Sequence, residues 1–377
     1  MLPEMRYIER ELLPRLRERK AEKDRAAARQ LSQWNGERGM CSLMLGLDEA
    51  SVPELANLPR YDLEEIHYDP EKMFVSELRS ALPVAFADGD GVPSVRANVG
   101  CGCVNTLTGG LGQTFFPDRM PWLLQHYGPD ALAALTAEDI SDSAQFAYGL
   151  ECMRLMKEEL EGTCVEVYPM DIQGPVDMAH LWLGNDFFYD VYDEPELVHH
   201  ALSLAVECDT YAFRKCLEII HPADHLAHYN CVVLPASAPL KLSEDTSTLL
   251  CADHIREYML PYTRELLERF GGGYIHFCGS NPFLLPEVLG MDRRMTGLNL
   301  GNPARHDFAS VLPELAARGR QYISTGGAPY PDRGTVRQAC APDGSFHMFF
   351  RVTCKKEEQA RLLDARDEYV RGALAEK

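Results

Sequence analysis

The sequence predicts an α/β protein whose main part is a closed (β/α)8 barrel, the TIM-barrel architecture, with an N-terminal helical cap. From Pro93 onward, short β-rich runs alternate with long amphipathic segments, an order that implies parallel strand pairing. About eight such runs follow one another, the number that a barrel needs. No glycine-rich fingerprint follows the first run, which disfavours a doubly wound dinucleotide-binding fold.

The chain is expected to divide into a cap region at residues 1–92 and a barrel at residues 93–377. Residues 3–30 are strongly charged and lack glycine, which favours one or two exposed helices. Residues 35–92 mix short helices with loops, and their apolar content permits a homodimer. The cap is therefore expected to precede the barrel strands in the chain.

The candidate elements follow from hydrophobic periodicity and end signals. The predicted strands cover residues 94–99, 164–171, 225–234, 239–244, 274–279, 296–301, 320–325 and 346–354. The predicted helices lie near residues 119–127, 141–162, 176–184, 193–220, 249–270, 282–289, 307–318 and 355–375. Asp253 and Asp307 are suitable N-caps for two of these helices.

Composition excludes several classes of partner. The chain has 377 residues, with 37 basic and 57 acidic side chains and a formal net charge of −20. Nucleic acids and anionic membranes bind basic surfaces, so neither is expected as a partner. No run approaches the ~18 apolar residues of a membrane span. The N-terminus is charged and lacks an apolar core, which predicts a cytoplasmic protein without a secretory signal.

The stretch "GGGYIHFCGSNP" (271–282) carries an imidazole and a thiol one residue apart. Alternate residues of a strand point to the same face, so Tyr274, His276 and Cys278 are expected to face the barrel interior. Ile275 and Phe277 would then face the helices. Active sites of such barrels lie at the carboxyl ends of the strands, where His276 and Cys278 would be two ligands for a borderline-soft metal.

A metal site needs a third ligand. Cys354 ends the run "FHMFFRVTC" and is the candidate, because the last barrel strand can bring it back to the same rim. Cys340 is the rival, although "RQACAPDG" has the composition of a loop. The alternative is a core histidine with inert cysteines, and the His-x-Cys spacing by itself leaves both interpretations open.

Other strand ends supply further candidates. Glu244 is the candidate for a fourth ligand or a gate, and Asp245 is nearly as good; in the alternative, residues 243–247 cap the next helix. Four residues are candidates for binding polar groups of a substrate: Asn98, Asp171, Gln173 and Tyr274.

Two further pairs of potential ligands are more typical of structural residues. Cys101 and Cys103 lie in the glycine-rich "GCGC" segment with no histidine nearby. His225 and His228 flank an apolar run, where histidines usually belong to the core or the surface.

Two segments resemble the uroporphyrinogen decarboxylase superfamily: "MDIQGPVDMAHLWLGNDFFYDVYDEPELVHH" (170–200) and "LLCADHIREYMLPYTRELLERFGGGYIHFCGS" (249–280). The likeness covers residues 93 to 375 and implies a (β/α)8 barrel. True uroporphyrinogen decarboxylases carry a Met-Arg-Gln-Ala-Gly-Arg motif and a Gly-His-Gly stretch. This chain has "MRYIERELLPR" and "FFRVTCKK" in the corresponding places.

The chain is more similar to the cobamide-dependent branch, such as the methylcobamide:coenzyme M methyltransferases. Their zinc signature, His-x-Cys and a distant Cys, is matched by His276, Cys278 and Cys354. The family's third cysteine follows a Pro-Gly pair and precedes a Pro-rich turn, whereas here Lys355 and Lys356 follow.

The resemblance implies a zinc-dependent methyltransferase of a corrinoid-dependent system. Such an enzyme would use Zn²⁺, a corrinoid (methylcobamide) carried by a partner protein or taken as substrate, and a small methyl donor or thiol acceptor. Two other functions stay open: a decarboxylase that acts without metal, and a non-catalytic binding partner of a corrinoid protein.

Overall fold

The computed structural model describes residues 2–326 and 329–377 and contains twelve β-strands. The strands are β1 (Leu43–Leu47), β2 (Ser94–Val95), β3 (Gln113–Thr114), β4 (Trp122–Leu123), β5 (Glu166–Val167), β6 (His225–His228), β7 (Val232–Pro235), β8 (Leu240–Ser243), β9 (Gly273–Phe277), β10 (Met295–Leu300), β11 (Gln321–Ile323) and β12 (Met348–Cys354).

The α-helices are α1 (Pro3–Tyr7), α2 (Leu13–Glu18), α3 (Lys20–Trp34), α4 (Pro70–Ala85), α5 (Pro129–Ala133), α6 (Ala144–Glu159), α7 (Pro175–Leu183), α8 (Phe187–Asp193), α9 (Pro195–Ile220), α10 (Ala252–His254), α11 (Leu260–Arg269), α12 (Leu284–Gly290), α13 (Phe308–Ala317), α14 (Arg333–Gln338) and α15 (Gln359–Ala375). Single π-helical turns at Ile8–Leu12 and Ile255–Met259 continue α1 into α2 and α10 into α11.

The central sheet confirms the predicted α/β class. Six parallel strands pair in the order β1-β12-β11-β10-β9-β8. A parallel bridge between Gln173 and Ser243 connects the segment after β5 to β8, and β5 pairs in parallel with β2. Eight parallel strands therefore follow one another from β1 to β2, with helices between most of them. Over the described residues no ladder joins β1 to β2, the two ends of this series.

Three expectations about elements are wrong. Strand β1 lies within the segment that was expected to be a cap, so residues 1–92 also contribute to the central sheet. Its sequence, "LMLGL", is entirely buried and therefore lacks the alternation by which half-buried strands are recognised. Residues 225–235 form an antiparallel hairpin of β6 and β7 instead of one barrel strand. The predicted helix at 119–127 is absent, and β4 there pairs with β3.

The sheet has two faces with different neighbours. The outer face packs on the helices in the large apolar core, to which Ile275, Phe277 and Phe350 belong. The inner face carries a smaller cluster that includes Tyr274 and Phe349, and the β6–β7 hairpin packs against it. The predicted division of β9 into an inner set containing Tyr274 and an outer set containing Ile275 and Phe277 is thereby confirmed.

The N-terminal helix α3 anchors the hairpin to the sheet. Trp34 donates its indole N–H to the Val233 carbonyl at 2.7 Å, and Gln30 accepts the Val233 N–H at 2.8 Å. Asp307 caps α13 as predicted, whereas α10 begins after Cys251 and leaves Asp253 inside its first turn. No helix among the described residues combines the length and apolar character required to cross a bilayer.

His225 is predicted to stabilise the fold in a pH-dependent way. Its hydrogen bond to Glu166, with Asp224 on the other ring nitrogen, raises the pKa of His225 to about 9. Because the folded pKa exceeds the unfolded value of ~6.5, this stabilisation is complete below that value and is lost as the pH rises towards 9. His225→Gln should lower the unfolding midpoint at pH 6 and have little effect at pH 10.

The measurement is thermal unfolding of both proteins across this pH range, with His254→Gln as the control. His254 contacts the Tyr192 ring and takes part in no described ion pair. An equal loss of stability at pH 6 and pH 10 would contradict the prediction.

Candidate metal centre at the carboxyl ends of the strands

Three different donor atoms converge where β8 and β9 end. One ligand atom each from Asp245, His276 and Cys278 lies within 4.8 Å of the others. The His276 Nε2 atom is 3.5 Å from the Cys278 sulfur and 3.7 Å from Asp245 Oδ1. The backbone N–H of Cys278 donates to the same carboxylate. Among the described residues this is the group of histidine, cysteine and acidic side chains that could hold a metal ion.

Asn299 on β10 fixes the orientation and tautomer of His276. The parallel register of β9 and β10 places Asn299 directly beside His276. The Asn299 amide donates to the Ile323 carbonyl, so its oxygen faces His276 Nδ1 and accepts a hydrogen bond from it. With the proton on Nδ1, the lone pair on Nε2 points towards Cys278, which is the arrangement that metal-binding histidines use.

The loop after β8 is held in place by an acid on a neighbouring helix. Asp177, near the start of α7, accepts the backbone N–H groups of Asp245 and Thr246 at 3.0 and 2.6 Å. The backbone N–H of Glu244 bonds to the His276 carbonyl at 2.8 Å. Asp245 is thereby held at the end of β8 next to the end of β9.

Space for the thiol depends on a glycine. A side chain at Gly301, just after β10, would collide with the sulfur of Cys278 and crowd the His276 ring. Cys278 itself is exposed. The donor group is therefore both uncrowded and open to small molecules.

The ionisation of the group favours a neutral imidazole and a protonated thiol in the metal-free protein. Burial and the positive charge of Lys241 lower the pKa of His276. Burial and the Asp245 carboxylate raise the pKa of Cys278. A bound cation would reverse the effect on the thiol, because it favours the thiolate.

Cys354 is not brought into this group. It ends β12 beside Leu47 of β1, and its sulfur belongs to the outer apolar core together with Phe350 and Val352. Phe349 belongs to the inner cluster. Cys354 therefore faces the outer core, contrary to the expectation that it supplies the third ligand. Cys340, the rival, is buried near its own loop and is also outside the group.

Glu244 and Asp245 lie on opposite sides of the strand end. Asp245 joins the donor group, whereas Glu244 is completely buried and accepts hydrogen bonds from Ser247 and Thr263, at 2.8 and 2.6 Å. Burial and the neighbouring Asp177 raise the pKa of Glu244. The Glu244 side chain therefore does not join Asp245, His276 and Cys278.

The predicted substrate-binding residues fall into a polar inner face. Asp171 accepts Lys241 Nζ at 2.9 Å and lies 3.4 Å from Arg96, and these two cations outweigh burial and lower the pKa of Asp171. The Asn98 amide oxygen accepts from Arg96 at 3.2 Å. The Tyr274 hydroxyl bonds to His228 at 3.1 Å.

Gln173 is buried, and its backbone pairs with Ser243. The sequence analysis missed the residues that surround these side chains: Arg96, Asn299, Lys241, Gly301 and Arg351. A signal for several of them exists, because polar residues alternate with apolar ones in "SVRANV", "PLKLSE" and "FFRVTC".

A solved structure has a fold similar to that of this chain, although the sequence identity between the two is low. A methyltransferase from Methanosarcina mazei has a TM-score of 0.60 and 15% sequence identity to this chain, and the match covers 91% of this chain and 98% of that structure. No protein-family profile matches the sequence. No curated protein matches it either.

Asp209 on α9 should reduce stability as the pH rises. It is buried, and neither of its carboxylate oxygens has a hydrogen-bond partner among the residues that the structure describes. Burial, Glu244 and Asp177 raise the pKa of Asp209 well above its usual value. Because the unfolded chain releases this proton near pH 4 and the folded chain does not, stability falls as the pH rises above that value. Asp209→Asn should weaken this decline.

Unfolding midpoints at pH 5 and pH 8 test this prediction, with Asp193→Asn at an exposed position of α8 as the control. The advantage of Asp209→Asn over the wild type should be greater at pH 8. An advantage that is the same at both pH values would show that the carboxylate does not titrate as inferred.

Proposed function

We propose that this protein is a zinc-dependent methyltransferase of a corrinoid-dependent methyl-transfer system, built on a closed (β/α)8 barrel. The observation that carries the proposal is the convergence of Asp245, His276 and Cys278. Two further points support it: the fold is similar to that of a methyltransferase from Methanosarcina mazei, and the donors lie at the carboxyl ends of parallel strands.

The donor set suits zinc. Zn²⁺ binds sulfur, imidazole nitrogen and carboxylate oxygen, and its catalytic sites use three protein ligands with a fourth position left open. Asn299 keeps the imidazole in the ligating tautomer, and Gly301 leaves room beside the sulfur. Asp245 thus takes the place for which the sequence analysis proposed Cys354.

Zinc bound here would stabilise the thiolate of a small thiol, the form that accepts a methyl group, or polarise the leaving atom of a methyl donor. The chain's own residues would bind the metal and keep its ligands in position. Asp177 holds the Asp245 loop, and Asn299 holds His276. The exposure of Cys278 leaves the group accessible to a corrinoid carried by a separate protein.

Zinc binding is the first test. The purified protein, stripped with a chelator and reloaded, should bind about one equivalent of Zn²⁺, measured by mass spectrometry of the metal. Cys278→Ser, His276→Ala and Asp245→Asn should each weaken binding at least tenfold, since replacing even an outer-shell partner of a metal ligand typically costs 10–100-fold.

Two cysteine variants serve as controls. Cys251→Ser alters another exposed thiol and Cys354→Ser alters the cysteine on the outer face, so both should retain wild-type affinity. Thermal unfolding of each variant checks that it is folded. Loss of zinc in Cys354→Ser, with retention in Asp245→Asn, would refute the ligand set proposed here.

Methyl transfer is the second test. The zinc-loaded protein should demethylate free methylcobalamin in the presence of small thiols, followed by the change in the cobalamin absorption spectrum. Chelated protein and Cys278→Ser should lose at least tenfold in rate. Equal activity of the chelated protein would favour chemistry without metal, as in a decarboxylase, and zinc binding without any turnover would favour a corrinoid-protein binding partner.

A further inference from the structure

A second candidate site, separate from the candidate metal centre, lies at the inner face of the sheet. A cavity of about 310 Å³ lies between α4, β2, the β6–β7 hairpin and β12. Its polar lining includes two guanidinium groups, Arg96 and Arg351, together with Asn98, Tyr168 and Asn230. Val84 and Pro93 supply part of its apolar wall. Its volume is at the lower end of that of small-molecule sites.

Arg351 has no counter-ion among the described residues. Its guanidinium donates to the Asn230 amide oxygen at 2.7 Å. Within residues 2–326 and 329–377, no carboxylate lies within ion-pair distance of it. Arg96 differs, because Asp171 lies 3.4 Å from it and the Glu77 carboxylate accepts its backbone N–H at 3.5 Å. The unpaired positive charge of the cavity is therefore that of Arg351.

Asn230 contributes a second polar group to this cavity. The residue is 3% exposed, and its amide nitrogen has no hydrogen-bond partner in the described part of the chain. Because its oxygen is occupied by Arg351, the free N–H groups lie beside the same guanidinium. A buried donor without an acceptor is unfavourable, so an acceptor that reaches both groups would bind with a gain.

The backbone at Asn230 and Cys231 has an unusual conformation. Asn230 has a φ of 67° and Cys231 has a φ of 64°, both in the left-handed region that L-residues other than glycine rarely adopt. The Cys231 carbonyl is fixed by the Val92 N–H, at 3.0 Å, and by Gln30, at 3.0 Å. Strained backbone that its surroundings hold in place is typical of binding sites.

We propose that this cavity binds the carboxylate of a small organic acid, held by the Arg351 guanidinium and the Asn230 amide. A planar fork of donors matches a carboxylate, and an uncharged group would leave the guanidinium unpaired. Glu77, the acid of the lining, lies beside Arg96 and leaves Arg351 to the ligand.

A series of contacts leads from the segment that carries Asn230 to the strand that carries His276. His228, two residues before Asn230, touches the Tyr274 hydroxyl, and Tyr274 precedes His276 by two residues, about 7 Å along β9. If the proposed function holds, on which this step rests, the methyl donor or acceptor carries a carboxylate at one end and the reacting atom at the other.

Direct binding tests the site independently of methyl transfer. Succinate should bind to the zinc-free protein and to Cys278→Ser in calorimetric titrations, and succinamide, of similar shape without charge, should bind at least tenfold more weakly. Arg351→Gln and Asn230→Asp should each weaken succinate binding at least tenfold. Asn230→Asp is nearly isosteric, replaces the free N–H groups by oxygen and gives Arg351 an internal counter-ion.

Arg318→Gln, which breaks an exposed ion pair with Glu314 on α13, is the matched control and should bind succinate normally. Arg351→Lys, which keeps the charge without the fork, should bind with intermediate affinity. Equal affinity for succinate and succinamide, unchanged binding in both site variants, or binding of inorganic phosphate in preference to succinate would each overturn the proposal.

With zinc-loaded protein, 3-mercaptopropionate should be a better methyl acceptor than 3-mercaptopropionamide, and Arg351→Gln should abolish the difference. Succinate binding without any methyl transfer would support this site and contradict the proposed function.

Discussion

The hydrogen bond between His276 and Asn299 is the constraint on which the candidate site depends. It joins two adjacent parallel strands at equal height, and Asn299 is itself held by the Ile323 carbonyl of the next strand. Three strands therefore determine which imidazole nitrogen is free. Without these two hydrogen bonds the His276 ring could take either tautomer, and its lone pair would have no fixed direction towards Cys278 and Asp245.

The strand ends also separate two kinds of carboxylate that are adjacent in the chain. Glu244 is completely buried among hydroxyl donors, and Asp245 reaches the donor group. Because successive side chains point to opposite faces, the acid whose pKa is raised by burial and the acid that lies among the possible metal ligands are neighbours in the sequence. Asp177 strengthens this division, since it binds the backbone of Asp245 while raising the pKa of Glu244.

Much of the fold and part of the site could be predicted from the sequence. Alternation correctly placed Tyr274 on the inner face, with Ile275 and Phe277 on the outer one, because a half-buried strand shows its two faces in its pattern. It could not reveal β1, which is buried on both faces. In "FHMFFRVTC" the expectation that Cys354 is a metal ligand disagrees with this pattern. The polar residue Arg351 marks the odd-numbered residues as inward, and this places Cys354 outside.

In the proposed zinc site Asp245 takes the place of the second thiolate that the resemblance implied, and this difference would affect the chemistry. A carboxylate neutralises the same charge as a thiolate but is a harder ligand that donates less electron density. A cation held by one imidazole, one thiolate and one carboxylate would therefore remain a stronger Lewis acid than one with two thiolates. That property would favour deprotonation of a bound thiol, and the positive charge of Lys241 acts in the same direction on the Cys278 thiol. The same positive inner face, continued by Arg96 and Arg351, suits a substrate that is anionic at its far end.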